Sequence, residues 1–322
     1  MKTLNLVYPD KSDIKYKISK FPDGQQNIVI NNLEKELVWA DWHPIGGGSL
    51  KKWSYPSVQI KSRLNNWLDL ELITCAVAAL RELEVQEIHL YVPYIIGARS
   101  DRKFEEGGNN YLKDVICPII NSLNFKTVTC IDPHSDCLEM GIKGFKKESN
   151  LKLIPWALAH IGVGHTFIDY LEKFNLISPD AGATKKIYKL ADQIGYKGDI
   201  ITCSKHRDID GKLGQTYLPY MKHCDNKDMI IIDDICDGGA TFINIAKALK
   251  EEGYKLNKLY LIVTHGIFSK GFTELSKYFD GIYCTNSYSD IDKEWYSTED
   301  GKQDSGVPVK KTSDLVKQLN VF

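Results

Sequence analysis

Three aspartates and two glycines crowd the stretch Asp233-Asp234-Ile235-Cys236-Asp237-Gly238-Gly239-Ala240-Thr241. Glycines let backbone amides approach a phosphate closely, and a helix N-terminus favours an anion. Carboxylates bind sugar hydroxyls or a magnesium ion. A loop that is acidic and also cradles phosphate suits a ribose phosphate, with a diol at one end and an anion at the other. The plainer alternative is a strand-to-helix turn with an acidic cap. Gathering three carboxylates at one strand end without a ligand is costly, because like charges oppose one another.

Other stretches carry residues of the same kind of chemistry. His134 follows Asp132, and an imidazole there can ligate a metal or contact a metal-bound phosphate while a nearby carboxylate orients it. Arg99-Ser100-Asp101-Arg102 offers a guanidinium plane that can stack on a base or grip phosphates. Lys205-His206-Arg207, followed by a polar segment with Gly211 and Gly214, reads as a mobile basic loop able to close over a phosphoryl group in flight. Phe21-Pro22-Asp23-Gly24-Gln25 reads as a turn whose aromatic and polar side chains could hold an adenine ring.

The elements that must position these residues alternate along the chain. Met229-Ile230-Ile231-Ile232 is an apolar run that reads as a buried parallel strand ending in Asp233 and Asp234. Phe242, Ile243, Ile245, Ala246 and Leu249 then mark an amphipathic helix. Strands are expected at 27–30, 88–92, 127–131, 176–178, 199–203 and 259–264, and helices near 67–83, 111–123 and 184–194. Alternation of this kind predicts an α/β fold with parallel sheets covered by helices and ligands at the carboxyl ends of the strands. Two blocks of similar architecture are expected, 1–150 and 151–322. The stretch from Trp39 to Tyr55, with three tryptophans and Gly46-Gly47-Gly48, reads as a loop.

Composition narrows the classes. A formal net charge of -1 gives no strong pull toward nucleic acid or a membrane surface. No apolar run reaches membrane-spanning length. The 8 cysteines are scattered with no CxxC pair, which fits buried thiols in a reducing compartment and a cytoplasmic protein.

Taken in order, these segments resemble ribose-phosphate diphosphokinase, also called phosphoribosyl-pyrophosphate synthetase. The resemblance runs from about Phe21 to about Asn286. It is carried by Phe21-Pro22-Asp23-Gly24, Pro93-Tyr94 through Arg102, Asp132-Pro133-His134, Ser178-Pro179-Asp180-Ala181-Gly182, Lys205-His206-Arg207, the Asp233 loop, and Thr264-His265-Gly266-Ile267-Phe268. It implies two tandem type I phosphoribosyltransferase-like domains, 1–150 on the ATP side and 151–322 on the ribose-phosphate side. It implies a homo-oligomer, built as dimers within hexamers. Phe21, Asp23 and Gln25 would reach a neighbouring subunit's adenine, with Arg99, Ser100, Asp101 and His134 completing the ATP site. His134 and Asp180 would hold Mg2+. Lys205 and Arg207 would be the catalytic pair. Asp180, Asp233, Asp234, Asp237, Gly238, Gly239, Ala240 and Thr241 would hold the ribose phosphate. The implied reaction moves the β,γ-diphosphate of ATP to an anomeric hydroxyl and releases AMP.

Departures from the family pattern point to the acceptor. The usual Asp-Thr-Gly-Gly-Thr loop is Asp237-Gly238-Gly239-Ala240-Thr241 here, which removes a hydroxyl, makes room at Gly238 and adds a methyl at Ala240. The usual Ala-Arg-Gln-Asp is Ala98-Arg99-Ser100-Asp101, the metal segment is Asp132-Pro133-His134-Ser135-Asp136, and the regulatory stretch is Glu105-Glu106-Gly107-Gly108-Asn109-Asn110. The altered loop resembles divergent, phage-type members of the family, and with them ADP-ribose becomes a rival to ribose 5-phosphate, in NAD synthesis. Two other readings stand beside these. A phosphoribosyltransferase that consumes phosphoribosyl pyrophosphate needs one such domain and not the basic pair. A catalytically inactive regulatory homologue need not keep His134, Asp180, Lys205, Arg207 and the aspartate loop.

Overall fold

The computed structural model describes residues 1–42, 48–162, 170–207, 213–219, 224–291 and 312–322. The chain divides into two compact units, Met1–Glu148 together with Phe322, and Ser149–Val321.

The first unit is built on a five-stranded sheet in the order β1 (Lys2–Asn5), β6 (Val58–Lys61), β7 (Ile88–Tyr91), β8 (Thr127–Ile131) and β9 (Phe145–Glu148). Every pairing is parallel. Helix α1 (Trp67–Glu82) starts where the Asn66 side chain accepts the Asp69 N–H, an N-cap that satisfies one of the free first-turn donors. Its buried face is Leu70, Ile73, Ala76, Val77 and Leu80, the helical three-and-four spacing. The remaining cover is a π turn at Leu112–Ile116 running into α2 (Cys117–Ser122), and α3 (Cys137–Gly141).

Two antiparallel hairpins are added to this unit. Strands β2 (Lys15–Lys20) and β3 (Gln26–Asn31) pair around the Phe21–Gln25 turn, and Gln26 Nε2 donates to the Leu68 carbonyl of α1 at 2.6 Å. The second hairpin corrects the sequence reading. The stretch from Trp39 to Tyr55, expected as a loop, contributes to β4 (Glu36–Trp42) and β5 (Gly48–Ser54), paired from Glu36↔Ser54 to Trp42↔Gly48. Aromatic and aliphatic residues favour a pleated strand, and the glycine cluster between the arms hid the two-residue period. Trp53 remains 64% exposed on this hairpin.

The second unit holds a six-stranded sheet, ordered β11 (Ile200–Thr202), β10 (Phe174–Ser178), β14 (Asp228–Cys236), β15 (Leu259–Gly266), β16 (Gly281–Thr285) and β17 (Val316–Leu319). It too is parallel throughout. All residues of β15 are buried, as a central strand covered on both faces requires. On one face Ile231, Leu261 and Val263 pack with Phe242, Ile245 and Leu249 of α6 (Ala240–Glu251). On the other, Leu176, Ile230, Ile232 and Ile262 pack with Ile187 and Leu190 of α5 (Ala181–Ile194) and with Leu153 and Leu158 of α4 (Leu153–Ile161). A short α7 (Thr312–Leu315) precedes β17, and a separate ribbon pairs β12 (Ser204–Arg207) with β13 (Leu213–Tyr217).

All eight cysteines are free thiols, and six are buried. Burial pushes Cys117 and Cys224 up to about 11 and Cys284 up to about 12, from an ordinary 9.0. Each thiol therefore keeps its proton to higher pH in the folded chain than in the unfolded one. Stability from these groups is complete below pH 9.0 and falls as pH rises toward about 12. The urea midpoint should drop between about pH 8 and about pH 11, by more than in a variant with Cys117, Cys224 and Cys284 replaced by Ala. Equal drops in the two proteins would show that the thiols are not responsible.

Candidate functional site

In the second unit, three of the expected segments follow three neighbouring parallel strands. The Asp180 segment follows β10, the Asp237 loop follows β14, and the basic triplet follows β11. Parallel strands present their carboxyl ends on one edge, so the sheet order gathers these segments there.

The aspartate loop departs from its expected outline. Strand β14 does not stop at Asp233 but continues to Cys236, paired with β15 through Ile235↔His265 and Cys236↔Gly266. Asp233 and Asp234 are thus strand residues. Asp233 is half-buried, and its Oδ1 accepts the Asp234 N–H at 2.9 Å. Asp234 is buried, and its Oδ2 meets Lys186 Nζ of α5 at 2.8 Å. The continuation was hidden in sequence because charged residues inside a strand read as its end.

Beyond the strand the chain turns sharply. Gly239 has φ of 79°, the left-handed region that glycine enters at no steric cost, and a Cβ there would stand 3.0 Å from Leu275 Cδ2. Gly239 caps α6, whose first turn carries no acidic residue. Asp237 Oδ1 accepts a hydrogen bond from Ser269 Oγ at 2.5 Å. The Cys236 carbonyl accepts from the N–H groups of Ile267 and Phe268, at 2.8 and 3.2 Å. Gly238 corrects a second expectation. The room foreseen there is filled by the Lys270 side chain, with Cδ, Cε and Cγ lying 3.3, 3.4 and 3.5 Å from where a Cβ would stand. Ala240 is exposed and Thr241 half-buried.

Asp180 has a definite local role. Its Oδ1 accepts the Ala183 N–H at 3.0 Å and caps α5, which begins at Ala181 rather than near Thr184. Ser178 Oγ donates to the Asp180 carbonyl at 2.8 Å, and Thr184 Oγ1 donates to the same carbonyl at 3.1 Å. Lys205 and Arg207, expected in a loop, have strand backbone in β12, opposite Thr216 and Leu213. Their side chains, and the segment 208–212 with Gly211, lie outside the described residues.

The first unit repeats the arrangement at one edge. Arg99, Ser100 and Asp101 follow β7, and His134 follows β8, its neighbour. Arg99 and His134 are exposed, while Ser100 and Asp101 are half-buried. The Ser100 N–H donates to the Gly97 carbonyl at 2.7 Å, and Asn110 Nδ2 donates to the Asp101 carbonyl at 2.5 Å. Asp132 is buried with a left-handed φ of 39° and sets the bend that leads to His134. Phe21, Asp23 and Gln25 sit apart, in the turn of the β2–β3 hairpin outside this sheet. Phe21 is 55% exposed there. Among the described residues no group of three or more His, Cys, Asp or Glu is arranged to hold a metal. No helix among them is long and apolar enough to cross a membrane.

Known proteins give these segments a context. No family model matches the chain. Ribose-phosphate pyrophosphokinase of Mycoplasmopsis pulmonis is 29% identical over 225 residues, covering 69% of this chain and 65% of that protein, just short of two thirds. Ribose-phosphate pyrophosphokinase of Pyrococcus abyssi is 23% identical over 279 residues, 85% of this chain and 84% of the relative. The fold matches phosphoribosylpyrophosphate synthetase from Mycobacterium smegmatis with a TM-score of 0.69 over 97% of this chain and 88% of the other, at 16% identity. Along most of its length the chain is similar to ribose-phosphate pyrophosphokinases, and it has the fold of a phosphoribosylpyrophosphate synthetase.

That fold is the one the alternation of strands and helices anticipated, α/β with two tandem phosphoribosyltransferase-like domains and helix-covered parallel sheets. Two features of this ribose-phosphate pyrophosphokinase relative escaped the sequence. The Lys186–Asp234 pair joins residues far apart in the chain. Lys270 had no motif to mark it beside Gly238.

Proposed function

We propose that the protein is an ATP-dependent diphosphokinase that transfers the β,γ-diphosphate of ATP to the anomeric hydroxyl of a ribose 5-phosphate moiety and releases AMP. The observation that carries this reading is the β14 edge, where Asp233 and an ion-paired Asp234 lead into a left-handed Gly239 turn at the start of α6. Asp233 and Asp234 would take the ribose hydroxyls. Asp237, Gly238, Gly239, Ala240 and Thr241 would take the 5-phosphate, with backbone N–H groups as donors. In the first unit, Arg99, Ser100, Asp101 and His134 would hold ATP. Phe21, Asp23 and Gln25 would complete the adenine site of a neighbouring subunit in a dimer or hexamer, which an exposed hairpin turn suits.

Magnesium is the implied cofactor. A magnesium ion keeps several waters and takes one or two protein oxygens together with substrate phosphates. Asp180 fits that donor type. Its Oδ1 already serves the α5 cap, and an oxygen carries two lone pairs. The exposed His134 imidazole fits a hard cation less well, and a hydrogen bond to a phosphate oxygen suits it better. When bound, magnesium would neutralise phosphate charge.

The chemistry is an in-line displacement. The anomeric oxygen forms a bond to the β-phosphorus, the bond from that phosphorus to the oxygen bridging it to the α-phosphorus breaks, and the hydroxyl proton leaves to solvent or a carboxylate. The protein's work is positioning and charge stabilisation, for which Lys205 and Arg207 are the proposed cations.

The test is product analysis with ATP, magnesium and either ribose 5-phosphate or ADP-ribose, resolved by mass spectrometry. AMP should accumulate with one acceptor or both, together with an acceptor heavier by one diphosphate. ADP as the sole nucleotide product would refute diphosphoryl transfer. Binding of both substrates without turnover would favour the inactive homologue. ADP-ribose remains the rival acceptor because Gly238 lacks the hydroxyl usual at that position.

A further inference from the structure

We propose that Lys270 is a binding residue for the acceptor's phosphate and supplies the contact that Gly238 has given up. The inference rests on the proposed reading of the aspartate loop.

Lys270 stands on a fastened turn. The Gly271 N–H donates to the Phe268 carbonyl at 2.8 Å, closing a turn with Phe268 at φ 49° and Gly271 at φ 62°. That turn is tied to the loop at two places. The Ile267 and Phe268 N–H groups bind the Cys236 carbonyl, and Ser269 Oγ binds Asp237 Oδ1. The residue between Ser269 and Gly271 is thus held against the loop, and its aliphatic stem lies over Gly238. The ammonium is one bond beyond Cε, which lies 3.4 Å from the Cβ position of Gly238. Gly238 and Lys270 are complementary. A side chain at 238 would press on the stem at 3.3 Å, so the absence of one leaves the place that the lysine takes.

Charge gives a cation at this place a use. Asp233, Asp234 and Asp237 line the strand end and the turn, and a phosphate brought among them meets like charge. Lys186 offsets Asp234. Ser269 Oγ donates a hydrogen bond to Asp237 Oδ1. Lys270 pairs with no carboxylate among the described residues, whereas the nearby Lys277 pairs with Glu274 at 2.5 Å. An ammonium replaces the missing hydroxyl with a charge-assisted donor.

The experiment separates charge from packing. Lys270→Met keeps a stem over Gly238 and removes the charge; Lys270→Arg keeps the charge. Ribose 5-phosphate, ADP-ribose and unphosphorylated ribose are titrated calorimetrically into the full chain and both variants, and KM for ATP is measured alongside. Lys270→Met should weaken binding of the phosphorylated acceptor that the wild type prefers by about tenfold or more, the scale of a lost charged hydrogen bond. Lys270→Arg should stay within about threefold, and ribose binding, KM for ATP and thermal midpoint should not move. Lys270→Met binding that acceptor as wild type does, or losing ATP affinity equally, would overturn the assignment. Absence of AMP formation by the wild type would instead count against the proposed function, since the titrations read Lys270 without turnover.

Discussion

Replacing Lys205 or Arg207 by alanine is expected to lower kcat about a hundredfold or more while changing KM less, the scale of losing one preorganised charge contact in a transition state. Negative charge spreads over the transferred phosphoryl oxygens as the bond to the leaving nucleotide lengthens. A cation that meets this charge only at that moment acts on kcat rather than on ground-state binding. The backbone supports such a role. The strand β12 that carries both residues follows β11 directly, at the sheet edge where the Asp180 segment and the Asp237 loop also emerge. Single and double variants should be compared by steady-state AMP formation and by ATP binding. A double variant with near-normal kcat would reject the assignment. A double variant that loses ATP affinity and kcat together would recast the pair as ground-state phosphate ligands.

The parts of the fold legible in the sequence are those fixed by a local period. Thr127–Ile131 and Leu259–Gly266 are runs rich in β-branched and apolar residues, as a doubly covered parallel sheet needs, and the spacing of Leu70, Ile73, Val77 and Leu80 commits α1. What stayed hidden depends on contacts across the chain. Pairing with β15 carries β14 past Asp233 to Cys236, although acidic residues disfavour strands locally. The two arms at Glu36–Trp42 and Gly48–Ser54 stabilise each other as a hairpin, which neither signals alone. Asp180 was legible as a polar residue at a strand end, but its cap on α5 shows that it helps to build the helix start as well as lining the edge. The space at Gly238 could not be judged from Gly238 itself, because Lys270 fills it from a different loop.

That distinction between local and distant contacts separates the two adjacent aspartates. Successive strand residues point to opposite faces, so Asp233 and Asp234 belong to different environments. Asp234 shares its parity with Ile230 and Ile232, which pack toward α5, and it is 7% exposed with Lys186 at 2.8 Å. Asp233 shares its parity with Ile231, on the α6 side, and is half-buried. Asp233→Ala should therefore reduce kcat/KM for the phosphorylated acceptor about a hundredfold, through lost charge-assisted hydrogen bonds to sugar hydroxyls, with the thermal midpoint nearly unchanged. Lys186→Ala should act mainly on stability, because it leaves a carboxylate buried without this cation. The Lys186 side chain is 43% exposed, so solvent already screens the pair and the cost belongs at the lower end, about 1–2 kcal/mol. Asp234→Ala should lose activity with a smaller change in stability, since the freed lysine can turn into water. Urea melts and acceptor kinetics on the three variants resolve these roles. If Asp233→Ala keeps acceptor kcat/KM within about threefold of wild type while Asp234→Ala abolishes turnover, the accessible carboxylate is not the sugar ligand and the buried, ion-paired one is.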